Sequence, residues 1–413
     1  MAKIGILVMT HKVQERGTRK ESFYDSFEWL GMQAIQKEID RKKNQVKYIS
    51  VSQIDDYDFV LVSVTSLYDV FNLINEMPKK RKAEVIIGGQ GVVNVKSYTP
   101  YFDKAVFGRA EGQINDILDG EKPSNILDIN EDPDVEGRYE YRQPQYLIDG
   151  ENNVGCPYKC RFCQYSWTHK CLRKTGNFQS AIGDFKHLQE DDLRHLKVED
   201  GRYYVSAIDG VSEESRFKVN KKIYNEDIIK KIKEIYSKEF TKRVSLKLFV
   251  ICGYPWERYN GDYLNELKEV FRKADEPKSK FKIQMHLLFT PFSPEPLTPM
   301  ETERPILNVD WRKELTKNYK LYFSDTLEVY IMRYINTPYR LFERIFMNRA
   351  SIEDGWLLEN VLKNKKFRKM KSWKKMLWLE NNIDMEKFIN PKKKEWSYLR
   401  VPKEKTRETV EHG

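Results

Sequence analysis

Three cysteines within one short stretch, Cys156, Cys160 and Cys163, constrain this chain more than any other feature. The spacing C-x3-C-x2-C lets three sulfurs converge from a single loop. Zinc sites take four ligands, usually as two separated pairs, and no second pair exists here. Three clustered thiols without a fourth suit an iron–sulfur cube with one iron left open to another ligand. A structural metal knuckle and three unrelated buried thiols are the alternatives. The open iron is what points to an enzyme.

The lead-in Gly155-Cys156-Pro157 and the aromatic Phe162 ahead of Cys163 complete a stretch that resembles the radical S-adenosylmethionine (SAM) superfamily, whose signature is C-x3-C-x-aromatic-C. The resemblance implies a [4Fe–4S] cluster held by Cys156, Cys160 and Cys163. The fourth iron is then chelated by the amino and carboxylate groups of SAM. An electron donor of the flavodoxin or ferredoxin type reduces the cluster, and SAM is cleaved to a 5'-deoxyadenosyl radical. In such enzymes the cofactors carry the difficult chemistry, while the protein positions them and excludes competing reactions.

A chain of 413 residues has room for two or three domains. Five cysteines, three of them in one loop, exclude a disulfide framework and point to a reducing compartment. The apolar start, residues 1–10, is too short for a signal peptide with a cleavage site, and no stretch approaches a membrane span. A cytoplasmic protein with no membrane partner is expected. The 72 Lys and Arg against 62 Asp and Glu leave a formal charge of +10. That excess favours an anionic partner such as nucleic acid or an acidic peptide, although solvated helix faces account for most of it.

Residues 1–143 alternate apolar strand-like runs (3–9, 46–51, 59–64, 83–88, 104–107) with helical stretches near 24–41, 69–77 and from 111. Such alternation predicts a doubly wound parallel sheet, with ligands at the carboxyl ends of its strands. Ser63 and Thr65 end one strand; Gly88, Gly89 and Gly91 end the next, where small residues admit a large ligand. With Glu111 in Gly108-Arg109-Ala110-Glu111-Gly112, this part resembles the cobalamin-binding domain fused to many radical SAM enzymes. The resemblance implies cobalamin binding by Ser63, Thr65, Gly88, Gly89, Gly91 and Glu111. The D-x-H-x-x-G motif of other cobalamin proteins is absent: Met9 stands where its Asp would be and Gln14 where its Gly would be, so His11 is not assigned to cobalt. A flavodoxin-like module that binds nothing is the alternative.

After a proline-rich, charged linker, residues 144–309 read as a partial (βα) barrel that places chemistry at strand carboxyl ends, with strands at 145–149, 202–208, 245–252 and 281–289. Asp209 to Arg216 resembles the family segment that contacts SAM, with Asp209 for the usual Glu and Ser212 and Arg216 matching; Lys221 fits the lysine that follows. A carboxylate and a hydroxyl suit ribose and amino groups, and an arginine suits a carboxylate. An ordinary helix start, capped by Ser212, reads equally from the same residues. Gly253-Tyr254-Pro255-Trp256-Glu257 resembles the family's G-x-P-x-E strand end, which places Gly253 and Pro255, with Phe162, among the SAM contacts. The later loop to Thr298-Pro299 resembles a further strand end, so the likeness runs over about residues 1–300 in family order. Few residues separate Cys163 from Asp209, which leaves the number of barrel strands open. Cys252 reads as a core residue, and Cys171 and His169 as bystanders.

Residues 310–413 are basic, aromatic and mostly helical in pattern, with one strand at 327–334 and an amphipathic basic helix expected over 363–376. The whole reads as a radical SAM enzyme, with cobalamin-dependent methyl transfer to an unactivated carbon as its finer form. A cobalamin-free hydrogen-abstraction or rearrangement enzyme is the nearest rival. An iron–sulfur module that binds nucleic acid or protein is the rival of another class.

Overall fold

The computed structural model describes residues 1–7, 30–64, 67–121, 126–128, 139–140, 153–169, 171–173, 179–182, 185–190, 192–198, 203–238, 240, 243–306, 315, 319–333, 338–367, 372–390 and 399–400. The chain is an α/β protein with two compact units. One comprises Met1–Ile148, Phe346–Asp384 and Lys393–Gly413; the other comprises Asp149–Ile345 and Met385–Lys392. No helix among the described residues is long and apolar enough to cross a membrane.

The first unit is built on β1 (Ala2–Leu7), β2 (Asn44–Ile49), β3 (Phe59–Ser63), β4 (Glu84–Gly88), β5 (Lys104–Val106) and β6 (Ile126–Asp128), in the order β2-β1-β3-β4-β5-β6. The first five are parallel, and β6 closes one edge antiparallel. Short runs such as Phe59–Ser63 carry apolar side chains on both faces because helices can cover both. Ile4, Ile6, Leu61 and Ile86 form one such core against Met32 of α1 (Leu30–Glu38) and Ile114 and Ile117 of α3 (Ile114–Leu118). The order reverses between β1 and β3, where doubly wound sheets open a ligand crevice. Helix α2 (Leu67–Glu76) packs against the late helix Ile352–Lys363, and Lys79 pairs with Glu359 at 2.7 Å. The short strand β7 (Tyr139–Glu140) pairs with Leu399–Arg400.

The continuous basic helix expected over 363–376 does not form. Asn364 takes an extended conformation (φ −65°, ψ 133°) that ends the helix Ile352–Lys363; a 3-10 turn, Lys365–Phe367, follows, and a separate helix spans Ser372–Glu380. Burial of Phe367 inside that turn is the local reason: its ring meets Trp378 at 4.8 Å, a contact unavailable to a straight helix with a solvated basic face.

In the second unit β8 (Asn153–Val154) and β9 (Leu172–Arg173) pair antiparallel and bracket the cysteine loop. A second sheet contains β10 (Gln179–Ile182), β11 (Phe185–Glu190), β12 (Tyr203–Ala207), β13 (Val244–Cys252), β14 (Ile283–Pro291), β15 (Lys320–Phe323) and β16 (Leu327–Arg333), ordered β10-β11-β12-β13-β14-β16-β15. β11, β12, β13, β14 and β16 are parallel, with antiparallel β10 and β15 at the edges. β13 alternates strictly: Val244, Leu246, Leu248, Val250 and Cys252 are buried, while Ser245, Lys247, Phe249 and Ile251 are half-buried. The buried row packs with Ile228 and Ile232 of α6 (Asn225–Tyr236) and Leu267 and Phe271 of α7 (Asn265–Ala274). Cys252 sits in this core, its sulfur 3.5 Å from the Thr290 carbonyl. The strand expected at 145–149 lies outside the described residues. β10 and β11, read by no apolar run in the sequence, supply a parallel strand between Cys163 and Asp209.

Candidate functional site

Loop 155–163 is shaped by backbone first. Gly155 (φ 72°) and Lys159 (φ 50°) take left-handed conformations on either side of Cys156, which folds the stretch back on itself. A non-glycine residue held there costs on the order of 1–3 kcal/mol and persists only when its surroundings enforce it. The enforcement comes from the end of α5 (Glu213–Lys218). Asn220, itself left-handed at φ 61°, donates from Nδ2 to the carbonyls of Tyr158 (2.9 Å) and Lys159 (3.1 Å). Arg161 donates its backbone N–H to Val219 at 2.9 Å and its guanidinium to the Lys218 carbonyl at 3.2 Å. Below the loop, helix α4 (Gln164–Thr168) turns back: Trp167 Nε1 donates to the Cys160 carbonyl and Ser166 Oγ to the Cys163 carbonyl, both at 2.9 Å.

The segments that meet this loop all follow carboxyl ends of parallel strands. Asp209 follows β12 with φ 51°, a left-handed position for a non-glycine residue. Its carboxylate pairs with Lys221 at 2.9 Å, and Lys221 is only 4% exposed. Tyr254, after β13, donates from Oη to the Asp209 carbonyl at 2.8 Å and has its ring 6.4 Å from Phe162. Trp256 stacks on Tyr254 with an 8° interplanar angle, and Phe292, after β14, closes the aromatic group. Glu295, in the loop after β14, is half-buried and accepts the Gln164 backbone N–H at 2.9 Å.

Electrostatics follow from that burial. Desolvation pushes the Cys160 thiol well above its ordinary value, against the pull of Lys221. Cys163 is pushed up to about 11, by burial first and by the Glu295 carboxylate next. Both stay protonated in the bare loop at neutral pH, and a metal group would have to displace those protons on binding. Burial alone would lower the Lys221 ammonium, but Asp209, then Cys160 and Asp192, outweigh it and hold it above the ordinary lysine value. Lys221 is therefore a lasting positive charge beside the loop. The donor set fits an iron–sulfur cube: three thiols within one another's field, with a buried cation to offset thiolate charge. Among the described residues no three His, Cys, Asp or Glu side chains gather about one point as a single metal ion would require. A cube takes one thiolate per iron instead.

The other residues singled out in the sequence divide. Phe162, Asp209, Gly253 and Pro255 lie in this assembly. Gly253 (φ 83°) turns the chain after β13, and Glu257 locks the turn by accepting the N–H groups of Gly253 (2.8 Å) and Tyr254 (3.1 Å), Tyr263 Oη (2.9 Å) and Ser215 Oγ (2.9 Å). Ser212 caps α5, accepting the Ser215 N–H at 3.1 Å. Arg216 has no exposed surface. Its guanidinium donates to the carbonyls of Ile223 (2.8 Å) and Gly210 (3.2 Å) and to the Asn225 side chain, so it shapes the 209–225 loop instead of facing open space. Burial lowers it to about 10. Sequence reasoning missed Asp192, Asn220 and Glu295; the one signal was Asn220, a residue type that tolerates left-handed backbone at a helix end.

In the first unit Ser63 and Gly88 are half-buried at the carboxyl ends of β3 and β4. A Cβ on Gly88 would meet only the Val106 carbonyl at 3.9 Å, whereas one on Gly91 would lie 2.7 Å from Val64 Cγ1 and 2.8 Å from its carbonyl oxygen. Gly91 is thus required by the chain's own close approach. Gly89 (φ 109°, ψ −179°) occupies a region that only glycine visits readily. Glu111 is held by Arg109 at 3.0 Å. Thr65 lies outside the described residues.

No protein-family model matches the chain, and no curated protein matches it in sequence. Among solved structures it is similar to the cobalamin-dependent S-adenosylmethionine radical enzyme OxsB with aqua-cobalamin bound (10% identity, 89% of this chain and 56% of that one, TM-score 0.29). The same enzyme with aqua-cobalamin and S-adenosylmethionine bound gives 10% identity, 90% and 57% coverage and a TM-score of 0.26. The chain spans somewhat over half the length of that protein.

Proposed function

We propose that this chain is a radical SAM enzyme. The observation that carries the reading is the three-thiol loop, pinned by α5 against segments that follow β12, β13 and β14, with the buried Lys221–Asp209 pair beside Cys160. Cys156, Cys160 and Cys163 would hold a [4Fe–4S] cluster. A bound, reduced cluster would supply one-electron reduction of a sulfonium nucleotide and so open radical chemistry. Phe162, Gly253, Pro255 and Asp209 would border the SAM nucleoside, with Ser212 and Arg216 shaping the loop that carries Asp209. Lys221 keeps a positive charge next to Cys160, and Asp209 keeps that lysine in place.

The finer reading is cobalamin-dependent methyl transfer to an unactivated carbon, with Ser63, Thr65, Gly88, Gly89, Gly91 and Glu111 proposed at the corrinoid end of the first sheet. Gly88 is compatible with it, since a Cβ there would meet only the Val106 carbonyl at van der Waals distance; Gly91 does not support it, since Val64 already requires a glycine there.

The test is anaerobic reconstitution of the full chain, reduction, and addition of SAM. 5'-Deoxyadenosine should form, and Cys160→Ala should abolish it. No cleavage by a fully loaded protein would favour an iron–sulfur binding module. Added hydroxocobalamin should change its absorption spectrum; an unchanged spectrum would leave a cobalamin-free radical enzyme.

A further inference from the structure

The second sheet has another face, away from α6 and α7. Its rows follow from the register: Tyr203, Ser245, Gln284 and Glu328 lie side by side, then Val205, Lys247, His286 and Tyr330, then Ala207, Phe249, Leu288 and Met332. Toward the β15 edge this face becomes aromatic and exposed. Tyr319 is 56%, Met332 42% and Phe323 39% exposed. The Phe323 and Tyr319 rings converge on Tyr330, Phe323 edge-on at 4.8 Å and Tyr319 at 5.6 Å, while His286 stacks on its other side at 5.8 Å and 17°. His286 Nδ1 is buried without a hydrogen-bond partner.

Basic groups are interleaved with these rings. Lys320 lies over Phe323 at 5.0 Å and Lys247 over Tyr203 at 5.6 Å. Arg243 and Lys282 both share Glu328, at 3.0 and 3.2 Å. The face therefore carries more positive than negative charge among these named groups. Burial and the charges of Lys247 and Arg243 lower His286, so it presents a neutral flat ring.

We propose that this face binds single-stranded nucleic acid, with bases stacking on the exposed rings of Phe323 and Tyr319, which Tyr330 backs, and phosphates met by Lys320 and Lys247. Exposed rings linked in a row on a sheet, with lysines between them, match what unstacked bases and their backbone need. A duplex keeps its base faces inside its own stack and could use only the charges. An acidic peptide would use the lysines and leave the rings without function. This proposal does not rest on the cysteine loop.

Fluorescence anisotropy of the full chain with a labelled oligouridylate tests it. The single strand should bind at least ~10-fold more tightly than a duplex of equal length. Tyr319→Ala combined with Phe323→Ala should weaken binding by at least ~30-fold, from the typical loss per stacked base. Trp356→Ala, an exposed aromatic of the first unit, should leave it unchanged. If the aromatic variant does not fold, Lys247→Gln with Lys320→Gln should reduce the slope of log affinity against log salt. Equal affinity for duplex and single strand, an unchanged aromatic variant, an unchanged salt slope, or displacement by polyglutamate at equal charge would each overturn the proposal.

Discussion

The two parallel sheets finish their strands in different ways. In the first, β3 and β4 end in Ser63 and in Gly88-Gly89, and small size with backbone freedom does the shaping. In the second, β12 and β13 end in a buried ion pair, a locked turn around Glu257 and a group of aromatic rings. All four non-glycine residues found at positive φ among the described residues, Lys159, Asp209, Asn220 and Leu297, belong to the second unit. Strain and buried charge both cost free energy, and they gather where the surrounding structure compensates them. Small residues leave the first set of strand ends loosely filled, whereas buried charge and strained backbone fix the geometry of the second.

Four measurements would sharpen or break that contrast. Lys221→Met leaves Asp209 buried without its cation, and urea denaturation should show a loss of about 3–5 kcal/mol. A loss below about 1 kcal/mol would mean that Asp209 is not held by this pair. In the first unit, Gly91→Ala should cost about 1–3 kcal/mol, because the new methyl meets Val64 side chain and backbone together.

The third measurement concerns pH. Burial raises the Glu295 carboxyl, so its folded pKa lies above its unfolded one and its ionisation costs stability as pH rises through that range. Asp192 is the reverse: burial would raise it, but hydrogen bonds from Arg194 and the Lys221 charge prevail and lower it. Its contribution is present above the ordinary carboxylate pKa and is lost as pH falls through the folded value. Denaturation from pH 2 to 8 should therefore show Glu295→Gln more stable than the parent at neutral pH, with the gap closing toward acid. Asp192→Asn should weaken the protein at neutral pH and converge with the parent only at low pH. Parallel profiles would remove both assignments.

The smallest effect is expected at Gly88→Ala, within about 0.5 kcal/mol of the parent, since the methyl meets only one carbonyl at van der Waals distance. Unchanged stability with lost hydroxocobalamin binding would mark Gly88 as a ligand-facing position. Unchanged binding would break the proposal that this strand end approaches a corrinoid.

Much of the α/β pattern was legible because buried parallel strands leave dense apolar runs: Phe59–Ser63 and Val244–Cys252 stand out against polar surroundings. β10 and β11 were not, since Phe185–Glu190 mixes polar and apolar residues and is held by pairing to distant β12. Lys363–Met376 misled in the opposite direction: its basic composition reads as one helix, yet burial of Phe367 breaks it. At the site, the cysteines and the Gly253–Glu257 turn are local patterns and read directly. Glu295 and Asp192 are isolated carboxylates in sequence, and nothing local indicates that one becomes half-buried against the loop and the other fully buried.

By itself the sequence determined which atoms can bind a metal group, because three thiols at that spacing occupy one loop however the rest folds. Only tertiary structure decided the surroundings of those atoms. The placement of Lys221 beside Cys160, the withdrawal of Arg216 into its own loop, and the row of rings from His286 to Phe323 all join residues far apart in the chain. Burial sets their charge states and partners, and burial is a property of the packed whole.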